Sequence, residues 1–154
     1  MRNFDYYNPV KILFGKGKIA EIAKWIPKGM KVMMTYGGGS IKKNGVYDQV
    51  MDALKGFDIV EFGGIEPNPK YETLMRAVEA KQENVGFLLA VGGGSVIDGT
   101  KFIAAATCFE GNEPWDIVAK GARVNAALPL GTVLTLPATG SEMNSGGVIT
   151  RQST

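Results

Sequence analysis

The chain carries the stretch VMMTYGGGS at residues 32–40 and the stretch FLLAVGGGS at residues 87–95. Each is an apolar, strand-like run that ends in three glycines and a serine and then leads into a helix-like run. Glycines at such a junction let the backbone pass close to a ligand, because no Cβ stands in the way. A serine there can cap the next helix, whose free N–H groups attract an anion. One such loop is as often an ordinary tight turn, but two suggest a ligand with two polar ends, such as a dinucleotide.

Strand-like and helix-like runs alternate along the rest of the chain. We predict strands at residues 11–15, 32–36, 59–62, 87–91 and 132–136, and helices within residues 19–26, 46–54, 71–78 and 96–107. The wholly apolar run 87–91 suits a parallel strand covered on both faces, and the helix at 96–107 should be buried. The alternation predicts an α/β fold with a doubly wound, mostly parallel sheet, in one domain spanning residues 1–154.

The composition excludes several classes of protein. Hydrophobic residues make up 45% of the 154 residues and charged residues 21%, which is ordinary for one globular domain. The net charge is +2 and the lysines are scattered, so nucleic-acid binding is not supported. We see neither an apolar run near the roughly 20 residues of a membrane span nor a signal segment. Cys108 is the single cysteine, so we assign it to packing and expect a cytoplasmic protein.

The chain contains no histidine. A Ser-His-Asp triad and a histidine-bound zinc or iron site are therefore excluded within it, and we assign no catalytic and no metal-binding residue. We assign Trp25 and Trp115 to packing. Glu110, Glu113 and Asp116 are expected to be solvated and not to form an acid–base pair.

The second glycine loop nearly matches a phosphate-binding P-loop. In GSVIDGTK, residues 94–101, the lysine comes one place later than that motif requires. One place rotates Lys101 by about 100° around the helix, which disfavours a nucleotide-hydrolysing enzyme. Ser95 and Asp98 instead fit a capping box at the start of a helix. The glycine amides beside them can cradle a pyrophosphate, although Asp98 alone is explained by the helix dipole.

Three segments taken in order form a recognisable pattern: TYGGGS at 35–40, GGGSVIDGTK at 92–101 and LPATGSE at 136–142. The chain resembles the N-terminal domain of the iron-containing (group III) alcohol dehydrogenases, and most of all their NADPH-dependent aldehyde reductase and butanol dehydrogenase branch. ILFGKG at 12–17 and FGGIEPNP at 62–69 add to the likeness, which covers essentially the whole chain.

The resemblance implies a dinucleotide that lies across the edge of a Rossmann-like sheet. Gly93, Gly94 and Ser95 would contact its pyrophosphate, and Asp98 would lie near the nicotinamide ribose. The adenine and ribose side would be lined by Thr135, Thr139 and Asn144.

The resemblance also bears on the choice between NADP and NAD, through Gly37, Gly38, Gly39, Ser40 and Lys43. Members that prefer NAD carry an aspartate where this sequence has Gly38, and a carboxylate there suits a free 2′-hydroxyl and repels a 2′-phosphate. The space at Gly38, the Ser40 hydroxyl and the Lys43 charge favour NADP.

Members of the family continue into a helical second domain, in which one aspartate and three histidines bind iron or zinc. We therefore interpret residues 1–154 as a truncated N-terminal domain that lacks the metal-binding domain and transfers hydride weakly or not at all. The family also implies that strands such as residues 10–14 pair between subunits, so we expect a homodimer or larger oligomer. Two alternatives stay open: a non-enzymatic dinucleotide-binding or assembly module, and a small nucleotide-phosphate enzyme built on residues 94–101.

Overall fold

The computed structural model describes residues 3–80 and 84–152. Within these ranges, two short 3-10 helices, Lys18–Lys24 and Ser141–Met143, flank the regular elements. The strands are β1 (Lys31–Tyr36), β2 (Ile59–Phe62), β3 (Val85–Gly92) and β4 (Leu130–Leu134). The helices are α1 (Ser40–Lys43), α2 (Val46–Ala53), α3 (Tyr71–Ala80), α4 (Gly94–Thr107) and α5 (Asp116–Ala119).

The four strands of the described chain form one parallel sheet in the order β2-β1-β3-β4. The chain moves outward from β1 to β2 and then returns to the other side of β1 to build β3. The direction of winding therefore reverses between β1 and β3. Tyr36 and Val91 are partners in the register of these two strands, so both strands end at the same level.

Two hydrophobic clusters cover opposite faces of the sheet. Val32 and Met34 belong to the cluster under α1 and α2, whereas Met33 between them belongs to the cluster under α3 and α4. This follows from the period of two in a strand, which sends successive side chains to opposite faces. Helices on both faces confirm the predicted doubly wound α/β fold, and α4 has eight buried residues, as its apolar sequence predicts.

A buried hydroxyl pair joins β1 to α4. The Oγ1 atoms of Thr35 and Thr100 lie 2.6 Å apart, and neither residue is exposed. Thr100 Oγ1 also donates to the Val96 carbonyl at 2.7 Å. The strand that leads into the first glycine loop is thereby fastened to the helix that follows the second.

Two of the strand predictions were wrong because the extent of a strand depends on its pairing with a neighbouring strand. The last strand was predicted at residues 132–136, but β4 ends at Leu134 because its partner β3 ends at Gly92, opposite Leu134. The strand predicted at residues 11–15 is absent from the described structure, and Phe14 there is 92% exposed. A strand needs a neighbour for its backbone hydrogen bonds, and no described strand pairs with this segment.

Trp25 differs from its predicted packing role, and Glu113 has partners that were not predicted. Trp25 is 52% exposed, and its ring lies 3.6 Å below the Lys11 ammonium instead of in the core. Glu113, predicted to be solvated, has a side chain that is 44% exposed; it also accepts hydrogen bonds from the Tyr71 hydroxyl and the Trp115 N–H and lies 3.8 Å from Arg151. Trp115 packs edge-on against Tyr71, as a packing residue should.

No helix within residues 3–80 and 84–152 combines the length and the apolar character that a crossing of the bilayer requires.

Candidate functional site

The two glycine loops lie side by side at the carboxyl ends of β1 and β3. Backbone bonds from the neighbouring segments brace them: Gly64 N–H donates to Gly37 O at 3.0 Å, and Thr135 N–H donates to Gly92 O at 3.0 Å. Both loops are therefore held at one edge of the sheet, where the winding reverses. In open α/β sheets this crevice is the usual place for a ligand.

The second loop leads directly into the long helix α4. Gly93 is extended, and the first helical bond joins Ile97 N–H to Gly93 O at 3.1 Å. The N–H groups of the first helical turn therefore have no carbonyl of α4 to bond and point out of its end, where the helix dipole favours an anion. A Cβ at Gly94 would lie 2.6 Å from Thr139 Oγ1, so any other residue there would require Thr139 to shift.

The serines do not cap their helices. Gly93 and Gly39 occupy the N-cap positions, and neither α4 nor α1 has a side-chain cap. The capping prediction for Ser40 and Ser95 was wrong because α1 begins one residue, and α4 two residues, earlier than that role requires. Ser95 Oγ instead accepts the Asn68 N–H at 3.4 Å.

Asp98 ties a later loop to α4 instead of completing a capping box. Its two oxygens accept the Ser141 hydroxyl and, at 3.0 Å, the Val148 N–H. The predicted capping box was therefore wrong. In this structure the carboxylate holds both ends of the segment 141–148.

Lys101 binds the backbone of the segment 141–148. Its ammonium donates to Ser141 O at 2.8 Å, to Asn144 O at 3.2 Å, to Asn144 Oδ1 at 3.1 Å and to Gly146 O. Its side chain is 16% exposed. Burial lowers the pKa of Lys101, and Asp98 at 3.6 Å opposes that shift. An ammonium has three N–H donors, so these carbonyls use them fully, and the lysine does not act as a P-loop lysine here.

The three residues predicted for the adenine and ribose side differ in their surroundings. Thr139 stands against Gly94, and Thr135 follows β4 at the base of the second loop. Both therefore lie beside the second loop. The Asn144 side chain is used within its own loop: its Nδ2 donates to Gly140 O at 3.1 Å, and its Oδ1 accepts Lys101 and Gly146 N–H.

The first loop presents an open surface. A Cβ at Gly38 would meet no atom within 4 Å. Gly39 has a φ of +95°, in the left-handed region that favours glycine. Ser40 and Lys43, the first and last residues of α1, are both exposed. Room, a hydroxyl and a positive charge are therefore available at the same loop.

Sequence reasoning missed Glu61, which lies on β2 beside the first loop and accepts two tyrosine hydroxyls. The available signal was its position, because dinucleotide folds carry an acid about 20 residues beyond the first glycine loop. Among the described residues, no group of three or more histidine, cysteine, aspartate or glutamate side chains is placed to hold a metal ion.

The sequence model of the iron-containing alcohol dehydrogenases matches residues 9–154. The chain is 60% identical to the NADPH-dependent aldehyde reductase YqhD of Escherichia coli K12, over 100% of the chain and 41% of the reductase. It is 54% identical to NADP-dependent alcohol dehydrogenase 3 of Entamoeba histolytica, over 99% of the chain and 41% of that protein. It is 52% identical to a probable NADH-dependent butanol dehydrogenase of Bacillus subtilis, over 100% of the chain and 41% of that protein.

Solved structures show the same fold. The crystal structure of YqhD from E. coli K-12 has a TM-score of 0.95 and covers 98% of this chain and 40% of its own. The structure of NADH-dependent butanol dehydrogenase A from Thermotoga maritima has a TM-score of 0.94 at 49% identity. It covers 99% of this chain and 39% of its own. The chain thus spans about two fifths of the length of these proteins.

Proposed function

We propose that this chain, which belongs to the iron-containing alcohol dehydrogenase family, forms the dinucleotide-binding part of an NADP-dependent alcohol or aldehyde oxidoreductase. One observation carries the proposal: two glycine loops follow the adjacent parallel strands β1 and β3 at the point where the winding reverses. This is the crevice that binds dinucleotides in doubly wound sheets.

The second loop would hold the pyrophosphate. Its glycines allow a close approach, and the start of α4 supplies N–H donors and a favourable dipole without any charged side chain. Gly94, pressed against Thr139, has no side chain that would fill this cradle. Bound NADPH would supply the hydride, and Gly93, Gly94 and Ser95 would orient it.

The first loop would select NADP. Relatives of this chain include proteins named for NADPH, NADP and NADH, so the choice has to be argued from the loop itself. The free space at Gly38 admits a 2′-phosphate. Ser40 offers a hydroxyl donor and Lys43 a positive charge, and both are exposed to an incoming ligand.

We propose that the chain by itself binds the cofactor with little or no turnover. It contains no histidine, so the three histidines that the family resemblance implies for a metal would have to come from outside these residues. The expected result is binding of NADPH without its oxidation when an aldehyde is added, followed by absorbance. Sustained, aldehyde-dependent oxidation by the purified chain would contradict this.

The test of the main proposal is calorimetric titration of the chain with NADPH, NADH and ATP. We expect NADPH to bind, and Gly94→Val to abolish binding because the valine fills the cradle. Thermal unfolding of the variant separates this effect from a loss of fold, since valine also crowds Thr139. Magnesium-dependent ATP binding without NADPH binding would favour the nucleotide-phosphate enzyme. Binding of none of the three would favour an assembly module.

We also propose that the chain forms a homodimer through its N-terminal segment. Ile12 is 63% exposed and Phe14 92% exposed, as are Phe4, Tyr6 and Tyr7 to a similar degree. None of the described strands pairs with this segment, and exposed apolar side chains on an unpaired stretch of backbone are suited to pairing with another chain. We further propose a cytoplasmic location, supported by the single cysteine, since disulfides are typical of secreted domains.

A further inference from the structure

Four side chains form a compact group beside the first glycine loop, which we call the Glu61 cluster: Tyr36, Lys42, Tyr47 and Glu61. The Tyr36 hydroxyl donates to Glu61 Oε2 at 3.2 Å, and the Tyr47 hydroxyl donates to Oε1. The Lys42 ammonium lies 3.8 Å from Oε2. It also lies 5.1 Å and 4.8 Å from the ring centroids of Tyr36 and Tyr47.

The position of Glu61 in the fold links this cluster to the choice between NAD and NADP. Glu61 lies on β2, opposite Met34 of β1, and comes 22 residues after Gly39. In dinucleotide-binding βαβ units, an acidic residue about 20 residues beyond the glycine loop binds the ribose 2′-hydroxyl, and the same carboxylate disfavours a 2′-phosphate. Judged by its position alone, Glu61 would therefore favour NAD, whereas the free space at Gly38 favours NADP.

The contacts of Glu61 change that expectation. Both carboxylate oxygens already accept tyrosine hydroxyls, which weakens them as acceptors for a ribose. Lys42 places a positive charge beside the negative one, with 48% of its side chain exposed and 31% of the Glu61 side chain. The hydrogen bond to Glu61 raises the pKa of Tyr47, so Tyr47 stays a neutral donor. Contacts with Tyr36, and next with Glu61, raise the pKa of Lys42, so Lys42 stays charged.

We infer that the Glu61 cluster determines cofactor specificity: Lys42 cancels the charge of Glu61, so that a 2′-phosphate is accepted beside Gly38 and Ser40. This rests on the proposed function, because it presupposes a dinucleotide in the crevice. Lys42 acts through Glu61 and not on the phosphate itself. The next residue, Lys43, remains to attract the phosphate.

The test is a charge-swap cycle read out as the ratio of the Kd values for NADPH and NADH. Lys42→Met exposes the Glu61 charge and should weaken NADPH binding about fivefold while changing NADH binding less than about twofold, as expected for a partly screened pair of charges. Lys42→Met combined with Glu61→Gln should restore the wild-type ratio. Lys55→Met removes one exposed lysine, paired with Asp52 at 2.9 Å, and should leave the ratio unchanged.

Each outcome decides the matter. An unchanged Kd ratio in Lys42→Met would overturn the inference. So would a double variant that binds NADPH as weakly as Lys42→Met does, because that result would mean that Lys42 contacts the phosphate itself. Lys42→Gln removes the same charge and serves as a second variant should Lys42→Met fail to fold; a Kd ratio in Lys42→Gln equal to that of the wild type would overturn the inference. If the wild-type chain binds neither dinucleotide, the proposed function falls, and the role of the cluster falls with it.

Discussion

Gly38 is the residue at which the proposed cofactor choice can be tested most directly. Its backbone is outside the left-handed region and a Cβ there would meet no atom within 4 Å, so a side chain can be added without strain. Gly38→Asp should weaken NADPH binding at least about tenfold, because a carboxylate would face the 2′-phosphate. NADH binding should change little. Kd measurements for both cofactors check this, with Gly38→Asn as the uncharged control; an equal loss in the control would indicate a steric effect.

Lys101 shows how a single, largely covered cation can organise a loop. Its ammonium holds the carbonyls of residues 141, 144 and 146, and its removal would leave them without their charged donor. Lys101→Met should lower the free energy of unfolding by about 2 kcal/mol, measured by urea denaturation. The exposed pair of Lys120 and Asp116 provides the matched control, since Lys120→Met should cost less than about 0.5 kcal/mol. Equal losses in the two variants would contradict the role of Lys101.

At the scale of elements, the joint between β1 and α4 fastens the strand before the first glycine loop to the helix after the second. Thr100→Val should destabilise the fold by about 1–2 kcal/mol, because it leaves the buried Thr35 hydroxyl without its short partner. The double variant with Thr35→Val should lose less than the sum of the single losses, since both polar groups are then gone. Urea unfolding of the four proteins forms the cycle. Strict additivity would show that the hydroxyls act independently.

Tyr71 joins distant parts of the whole molecule. Its N–H donates to Thr150 O at 2.8 Å, its hydroxyl donates to Glu113, and its ring contacts Phe102 and Trp115 edge-on. Burial, followed by the hydrogen bond to Glu113, raises the pKa of Tyr71 from an ordinary value of 10.0 to about 12. The folded state therefore holds this proton more tightly than the unfolded state does.

The resulting pH dependence has a definite sign. The contribution of Tyr71 to stability is fully present below pH 10 and is lost as the pH rises from 10 through about 12. Tyr71→Phe should be less stable than the wild type at neutral pH and should show a shallower loss of stability across that alkaline window. Urea midpoints measured at a series of alkaline pH values check this. An identical slope in the two proteins would mean that Tyr71 does not titrate late.

At the scale of the whole molecule, the exposed N-terminal segment is expected to determine whether the chain is a monomer or a dimer. Ile12→Asp with Phe14→Asp should convert the expected dimer to a monomer, because like charges would face each other across paired strands. Size-exclusion chromatography with light scattering measures this. Lys16→Asp changes charge just outside residues 10–14 and serves as the control. A wild-type protein that elutes as a clean monomer would contradict the proposed dimer.

The sequence by itself determined the α/β class, the position of most helices and strands, and the two glycine loops, because apolar periodicity and glycine are local signals. The family likeness of residues 35–40, 92–101 and 136–142 added candidate cofactor residues, whose contacts with a dinucleotide stay predictions. Only the tertiary structure decided where β4 ends, since that depends on the length of β3. It also decided that Asp98 and Lys101 bind the segment 141–148 and that Lys42 lies 3.8 Å from Glu61. These contacts join residues far apart in the chain, and only the order of the strands brings them together.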